Sequence, residues 1–247
     1  MNDLSHTHMR AAVWHGRNDI RVEQVPLPAD PAPGWVQIKV DWCGICGSDL
    51  HEYVAGPVFI PVEAPHPLTG IQGQCILGHE FCGHIAKLGE GVEGYAVGDP
   101  VAADACQHCG TCYYCTHGLY NICERLAFTG LMNNGAFAEL VNVPANLLYR
   151  LPQGFPAEAG ALIEPLAVGM HAVKKAGTWG IMSSYNRLGG TFTSEHKWLL
   201  SDVLRDDWGY DGIVMSDWFG SHSTAPTVNA GLDLEMPGPT RDRGEKL

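Results

Sequence analysis

The chain has 247 residues, of which 45% are hydrophobic and 17% charged, a globular rather than a disordered composition. It carries 15 basic and 27 acidic residues, a formal charge of −12, which argues against a nucleic-acid backbone or an anionic membrane surface as partner. No stretch approaches the roughly 18 apolar residues of a transmembrane helix, since the richest one, Ala157 to Val173, is broken by Glu158, Glu164 and His171. The start, MNDLSHTHMR, lacks an apolar signal core, and no Asn-x-Ser/Thr sequon follows, so a cytoplasmic chain is expected.

Met9 to Trp14 reads as the first strand. Val36, Ile38, Val40 and Trp42 alternate with polar residues, the period of a half-buried strand. Phe81 to Leu88 reads as another. Asn134-Gly135 is a hairpin-type turn signal, and Ala136 to Val143 follows as a strand. Short strands between Gly/Pro turns up to about residue 150 predict a β-barrel or sandwich. Pro156 to Lys175 reads as a helix. Beyond it come a strand over Gly180 to Tyr185, a helix over Ser194 to Arg205 with Ser194 as N-cap, and a strand at Ile213-Val214-Met215. That order predicts a βαβ unit with parallel strands. Composition shifts near residue 177: all nine Cys lie between Cys43 and Cys123, whereas four of the seven Trp fall in the last 70 residues.

Nine cysteines without a signal peptide make a poor disulfide framework and point to metal. Cys109, Cys112, Cys115 and Cys123 form C-x2-C-x2-C-x7-C. Closely spaced thiolates on a tight loop supply the tetrahedral ligands that structural zinc takes. Cys106 lies outside the spacing and is expected to be a bystander. A second group is scattered: Cys46 in CGICGSDLH, His79 and Glu80 after Gly78, and Glu164 in LIEPL. Catalytic zinc uses three protein ligands and an open fourth position, yet spacing alone leaves core cysteine and ordinary polar residues as equally good accounts of these side chains.

The segments CGICGSDLHEY, GPVFIPVEAPHPLTG, LGHEF, CGTCYYCTHGLYNIC and LIEPLAVGMHAV resemble the catalytic domain of zinc-dependent medium-chain dehydrogenases, in the 2,3-butanediol and sorbitol dehydrogenase branch. The resemblance runs from about Met9 to Gly177. It implies a GroES-like β-barrel with Cys46, His79 and Glu164 as ligands of a catalytic zinc. It also implies Glu80 as a near-zinc carboxylate, and Ser48 and His51 as the pair that passes the substrate proton outward. Cys109, Cys112, Cys115 and Cys123 match the structural zinc lobe, giving two zinc ions per chain. Cys43 is not an expected ligand. The implied substrate is a small alcohol or vicinal diol, oxidised with NAD(H).

Such enzymes hold their nicotinamide on a Rossmann domain, whose Gly-rich turn opens a helix at the pyrophosphate. In this sequence HAVKKAG runs straight into TWGIMSSYN. The literal G-x-G-x-x-G match, Gly89 to Gly94, leads into Tyr95-Ala96-Val97-Gly98-Asp99-Pro100, which cannot open a helix, and Glu90 and Glu93 would repel phosphate. A turn between barrel strands is expected there instead.

The tail, with GTWGIMSSYNRLGG, SEHKWLLSDVLRDDWGYDGIVMSDW and HSTAPTVNAGLDLEMPGPTR, resembles part of the catalytic barrel of family 3 β-glucosidases. By that resemblance Asp217 is the nucleophile, and Met182, Tyr185 and Trp218 line the sugar pocket. Gly189-Gly190 replaces the family's usual Asn-Gly. A full barrel takes about 250 residues, and retaining hydrolysis needs a second carboxyl, so this tail is expected not to hydrolyse glycosides.

The expected architecture is therefore mainly β: a GroES-like barrel with a structural zinc lobe over 1–177, then a short α/β (βαβ) fragment of a TIM-type barrel over 178–247, with no complete Rossmann domain. Three functions compete. The first is the zinc-binding oxidoreductase domain of an alcohol or polyol dehydrogenase, inactive alone because its NAD-binding domain is missing. The second is a non-catalytic zinc-binding fusion, or a product of gene assembly. The third is a β-glucosidase fragment carrying Asp217. A homo-oligomer, or a partner supplying a cofactor domain, stays open; nucleic acid and membrane are not expected partners. Apolar residues around Leu162 to Met170 are expected to be exposed or covered by the tail, and the tail itself to be poorly packed.

Overall fold

The computed structural model describes residues 7–238. The chain divides into two compact units, one up to Leu166 and one from Ala167 onward. The first contains β1 (His8–Gly16), β2 (Asp19–Pro26), β3 (Trp35–Gly44), α1 (Gly47–Ala55), β4 (Cys75–Ile76), β5 (Glu80–Leu88), β6 (Pro100–Ala103), β7 (Cys106–Gln107), α2 (Tyr113–Thr116), β8 (Ala127–Phe128), β9 (Leu140–Pro144) and β10 (Leu148–Arg150). The helices α3 (Ala157–Gly160) and α4 (Ile163–Ala176) follow, and the division between units falls within α4.

An antiparallel five-stranded sheet runs in the order β10-β6-β5-β3-β9, and a three-stranded one in the order β2-β1-β4. The alternation in β3 holds for Val36 and Ile38 and then fails: Gln37 is buried as well, and Trp42, past the irregularity after Val40, is exposed. Val36 and Ile38 are buried with Phe81, Ile85, Val101 and Val143 in the main core, because successive strand residues face opposite sides. The segment of Gly89, Gly91 and Gly94 is the connection between β5 and β6, with Gly91 and Gly94 at positive φ. Among the described residues no helix is long and apolar enough to cross a membrane.

Three expectations are corrected. Asn134-Gly135 does not turn a hairpin. Asn134 accepts the Ile76 N–H at 3.1 Å, and the Gly135 N–H donates to Ile76 O at 2.8 Å, so β4 competes for these groups. The strand placed at Ala136 to Val143 shrinks to Leu140–Pro144, since Ala136 and Phe137 donate to the carbonyls of Gly78 and Leu77. The helix expected over Pro156 to Lys175 is broken at Ala161-Leu162 into α3 and α4. Leu162, Leu166 and Val168 are exposed.

The second unit holds β11 (Gly180–Ser183), the two-stranded ribbon of β12 (Arg187–Leu188) and β13 (Thr191–Phe192), a helix Trp198–Asp207, β14 (Ile213–Trp218), α5 (Ala225–Ala230) and β15 (Leu234–Met236). β14 lies between β11 and β15, parallel to both. Leu200, Leu204, Tyr210, Val214, Ala230 and Leu232 form a core of their own. The tail therefore has a core of its own, while Trp179, Trp198, Trp218 and Phe219 are exposed, in line with the incomplete packing expected of it. Met182, Ile213 and Leu234 stay exposed.

Ser194 is not a helix N-cap. It is buried in a short 3-10 turn, Thr193–Glu195, and its hydroxyl donates to Gly220 O at 2.8 Å. The helix begins later, with Lys197 at its N-cap, and is wound more widely than an α-helix. The Trp208 N–H reaches back five residues to Val203 O.

Candidate metal centres

The zinc lobe is local. Cys109, Cys112, Cys115 and Cys123 bring their Sγ atoms within 4.8 Å of one another. The Cys109–Cys115, Cys112–Cys123 and Cys109–Cys123 separations are 3.9, 3.8 and 3.5 Å. Four sulfurs bonded to one zinc at about 2.3 Å would stand roughly 3.8 Å apart at tetrahedral corners, so the donor set fits. The loop also polarises its thiols. Hydrogen bonds from the Thr111 backbone and hydroxyl bring Cys109 down to about 5. The Cys115 backbone N–H lowers Cys112. Desolvation and the neighbouring thiols push Cys115 up to about 12. Cys106 stands outside the cluster, pushed up to about 12 by burial and by Asp104.

The second cluster is assembled from separate elements. Cys46 is the N-cap of α1, and its Sγ, a ring nitrogen of His79 and a carboxylate oxygen of Glu80 lie within 4.8 Å of one another. Glu80 opens β5 opposite Gly44 on β3. A Cβ at Gly44 would stand 2.5 Å from Glu80 Oε2, so the glycine makes room for that carboxylate. Ser48 Oγ is 3.2 Å from His79 Nε2. His51 is exposed, three residues further along α1, with no hydrogen bond to its ring among the described residues.

Glu164, the third ligand expected here, is not gathered into the cluster. It is half-buried at the start of α4, and burial, then the charges of Glu80 and Asp104, push its carboxyl up to about 7. Cys43 also stays outside, its thiol raised by burial and by Asp49 and Glu80.

Asp49 was not singled out from the sequence, yet it ties the second cluster together. It is buried at the third position of α1, accepts the backbone N–H of Cys46 at 2.9 Å and that of Gly78 at 3.4 Å, and places Oδ1 3.7 Å from His79 Nδ1. His79 Nδ1 is buried and otherwise without a hydrogen-bond partner. A histidine whose second nitrogen faces a carboxylate is the arrangement that orients a metal ligand. Burial raises the Asp49 carboxyl against the pull of those N–H groups. The available signal was an acid three residues after a helix N-cap, the capping-box position.

In the second unit, Met182, Tyr185, Asp217 and Trp218 gather at the C-terminal ends of β11 and β14. Met182 is in register with Met215, two residues before Asp217. Asp217 Oδ1 accepts the Trp218 N–H at 2.7 Å, and Tyr185 OH donates to Trp218 O at 3.0 Å. A hydrogen bond with Asp217 raises the Tyr185 phenol. Met182, Tyr185 and Trp218 are all more than half exposed, an open surface rather than an enclosed pocket.

Residues 32–153 match the alcohol dehydrogenase GroES-like domain, and residues 165–243 the glycosyl hydrolase family 3 N-terminal domain. The (R,R)-butanediol dehydrogenase of Bacillus subtilis (strain 168) is 48% identical over 172 residues, 68% of this chain and 47% of that protein. A β-glucosidase of Rhizobium radiobacter is 76% identical over 76 residues, 31% of this chain and 9% of that protein. The chain thus spans about half the length of the first relative and a small part of the second. The crystal structure of 2R,3R-butanediol dehydrogenase from Bacillus subtilis superposes with a TM-score of 0.72 at 35% identity, covering 95% of this chain and 65% of that one. The alcohol dehydrogenase of Aeropyrum pernix gives a TM-score of 0.67 at 28% identity, covering 92% and 64%. The chain thus carries a match to the GroES-like domain of alcohol dehydrogenases, with butanediol and sorbitol dehydrogenases among its relatives, followed by a match to the N-terminal domain of glycosyl hydrolase family 3.

Proposed function

We propose that the first unit is the zinc-binding, substrate-activating domain of an alcohol or polyol oxidoreductase whose substrates are small alcohols or vicinal diols. The observation that carries this is the convergence of Cys46, at the start of α1, with His79 and Glu80, at the start of β5, beside a separate four-thiol lobe. The four thiols would hold one zinc for folding. Cys46 and His79 would hold the other, with Glu164 as third ligand and Glu80 as the carboxylate beside it. Zinc bound there would supply Lewis-acid activation of a substrate hydroxyl.

The chain's own residues would do the rest. Asp49 keeps the His79 ring turned and the Cys46 backbone fixed. Ser48, whose Oγ is 3.2 Å from His79 Nε2, would take the hydroxyl proton, and His51 would pass it to solvent. The nicotinamide does not fit these residues. The Gly89 to Gly94 match lies in the connection between β5 and β6 and opens no helix toward a pyrophosphate. We read the second unit as a family 3 barrel segment that takes no part in this chemistry. Its half-buried Asp217 and exposed Tyr185 supply no enclosed sugar site.

Metal analysis of the purified full chain tests this. Two zinc ions per chain are expected, one lost in Cys46→Ser and the other in Cys112→Ser, with no hydrolysis of a chromogenic glucoside. Zinc that stays at full stoichiometry in Cys46→Ser overturns the assignment of the second site.

A further inference from the structure

We propose that Glu52 is a positioning residue that fixes an apolar rim beside the Cys46 cluster, and through it the fit of an alcohol's carbon chain, an inference that rests on the dehydrogenase reading. Glu52 lies in α1 four residues after Ser48, on the same helix face one turn on. It is fully buried, and among the described residues no cationic side chain pairs with it. Its carboxylate instead gathers the backbone of the following loop. Val58 N–H reaches both oxygens at 3.1 and 3.0 Å, and Ile60 N–H reaches Oε1 at 3.2 Å. Phe59 N–H donates to the same Oε1. The Glu52 carbonyl accepts Trp14 Nε1–H at 2.9 Å and Gly56 N–H at 3.1 Å.

Loop and helix approach too closely for any residue but glycine at position 56. A Cβ there would stand 2.3 Å from Glu52 O and 2.6 Å from Glu52 Oε2. Three neighbouring N–H groups thus converge on one carboxyl group, a set of hydrogen bonds that holds the loop to the helix.

The consequence is positional. The segment is anchored at one end by Glu52, on the helix that begins at Cys46. At the other end Ile60 packs in one buried cluster with Trp14, Cys75 and Leu77, two residues before His79. Between these anchors Val58 is 52% and Phe59 39% exposed. Two large apolar side chains are therefore held outward by the same elements that carry the candidate ligands. An alcohol whose hydroxyl lies at the cluster has a rim there for a short alkyl chain. The carboxylate acts through the loop and touches no substrate atom.

Cobalt(II) loaded into the full chain gives the readout. Its visible spectrum is followed during titration with 2,3-butanediol, and hydrogen exchange is measured at the amides of residues 58–60. Glu52→Gln keeps the shape but turns an NH2 toward the Val58 N–H, and Gly56→Ala pushes on the carboxylate from the other side. In both, the three amides should exchange about tenfold faster. The half-saturating diol concentration should rise roughly fivefold, while the diol-free cobalt spectrum stays unchanged. Phe59→Ala leaves the clasp intact and tests the rim alone. It should weaken the diol response with normal exchange at the other two amides, and if it binds diol as the parent does, the rim has no role. Unchanged exchange in Glu52→Gln overturns the clasp. Faster exchange with unchanged diol affinity reduces Glu52 to a structural residue and overturns the substrate role. If the parent's cobalt spectrum ignores the diol, the dehydrogenase reading falls and the substrate role with it, while exchange still decides the clasp.

Discussion

Asp49 stands with Oδ1 3.7 Å from His79 Nδ1 and Oδ2 2.9 Å from the Cys46 backbone nitrogen. One carboxylate thus touches both candidate ligands without joining the cluster. Replacing Asp49 with Asn keeps the shape and removes the charge that faces the histidine. Zinc affinity at the second site should fall about 10–100-fold. Competition with a chromogenic chelator measures it. The four-thiol lobe of the same molecule should hold its metal as before, an internal control for folding.

The lobe itself is closed by sulfur. Cys112→Ser should release one zinc and expose the connection from Cys109 to Cys123 to protease, because binding energy at such a site is folding energy. Mass spectrometry of the cleavage products, with and without added zinc, tests this. Resistance equal to that of the parent would show that the loop needs no metal.

Gly83 is a packing requirement of the main sheet. It pairs with Val40 where β3 carries an irregularity, and a Cβ there would stand 2.1 Å from the Lys39 carbonyl oxygen. Gly83→Ala should destabilise the barrel by about 1–3 kcal/mol, since the neighbour is backbone and cannot rotate away. The midpoint of denaturant unfolding gives the value.

The two units should respond separately to core truncation. Leu204 is buried in the second unit's own core. Leu204→Ala should cost about 2–5 kcal/mol there. In calorimetry the transition that does not shift on zinc chelation should move down, and the chelator-sensitive one should hold its temperature.

How much of this was legible depended on the range of the interactions involved. The alternation of Val36, Ile38, Val40 and Trp42 is a local record of which side faces the core, and β3 follows it at Val36 and Ile38 but not at Trp42, which lies past an irregularity in the pairing with β5 and is exposed. The spacing of Cys109, Cys112, Cys115 and Cys123 is equally local, and their sulfurs meet. Residue-level spacing was weak for Cys46, His79 and Glu80, which meet only after β3 and β5 pair; the family resemblance supplied them. Asp49 was missed because its role lies in reaching Gly78 and His79, about thirty residues away in the chain. Ser194 misled because a buried tertiary partner, the Gly220 carbonyl, outbid the local capping role of its hydroxyl. Asn134-Gly135 misled because β4 claims its hydrogen-bonding groups.

The two metal centres differ in when the chain can build them. The four thiols span fifteen positions, a loop whose closure costs little entropy, so metal can be captured as soon as that stretch leaves the ribosome. Cys46 and His79 are more than thirty positions apart, and Glu164 lies a further eighty or more along the chain. The meeting of Cys46 with His79 waits for long-range strand pairing, the slow part of folding a β-rich domain. Zinc uptake during synthesis should therefore be sequential, the lobe first and the cluster after the barrel closes.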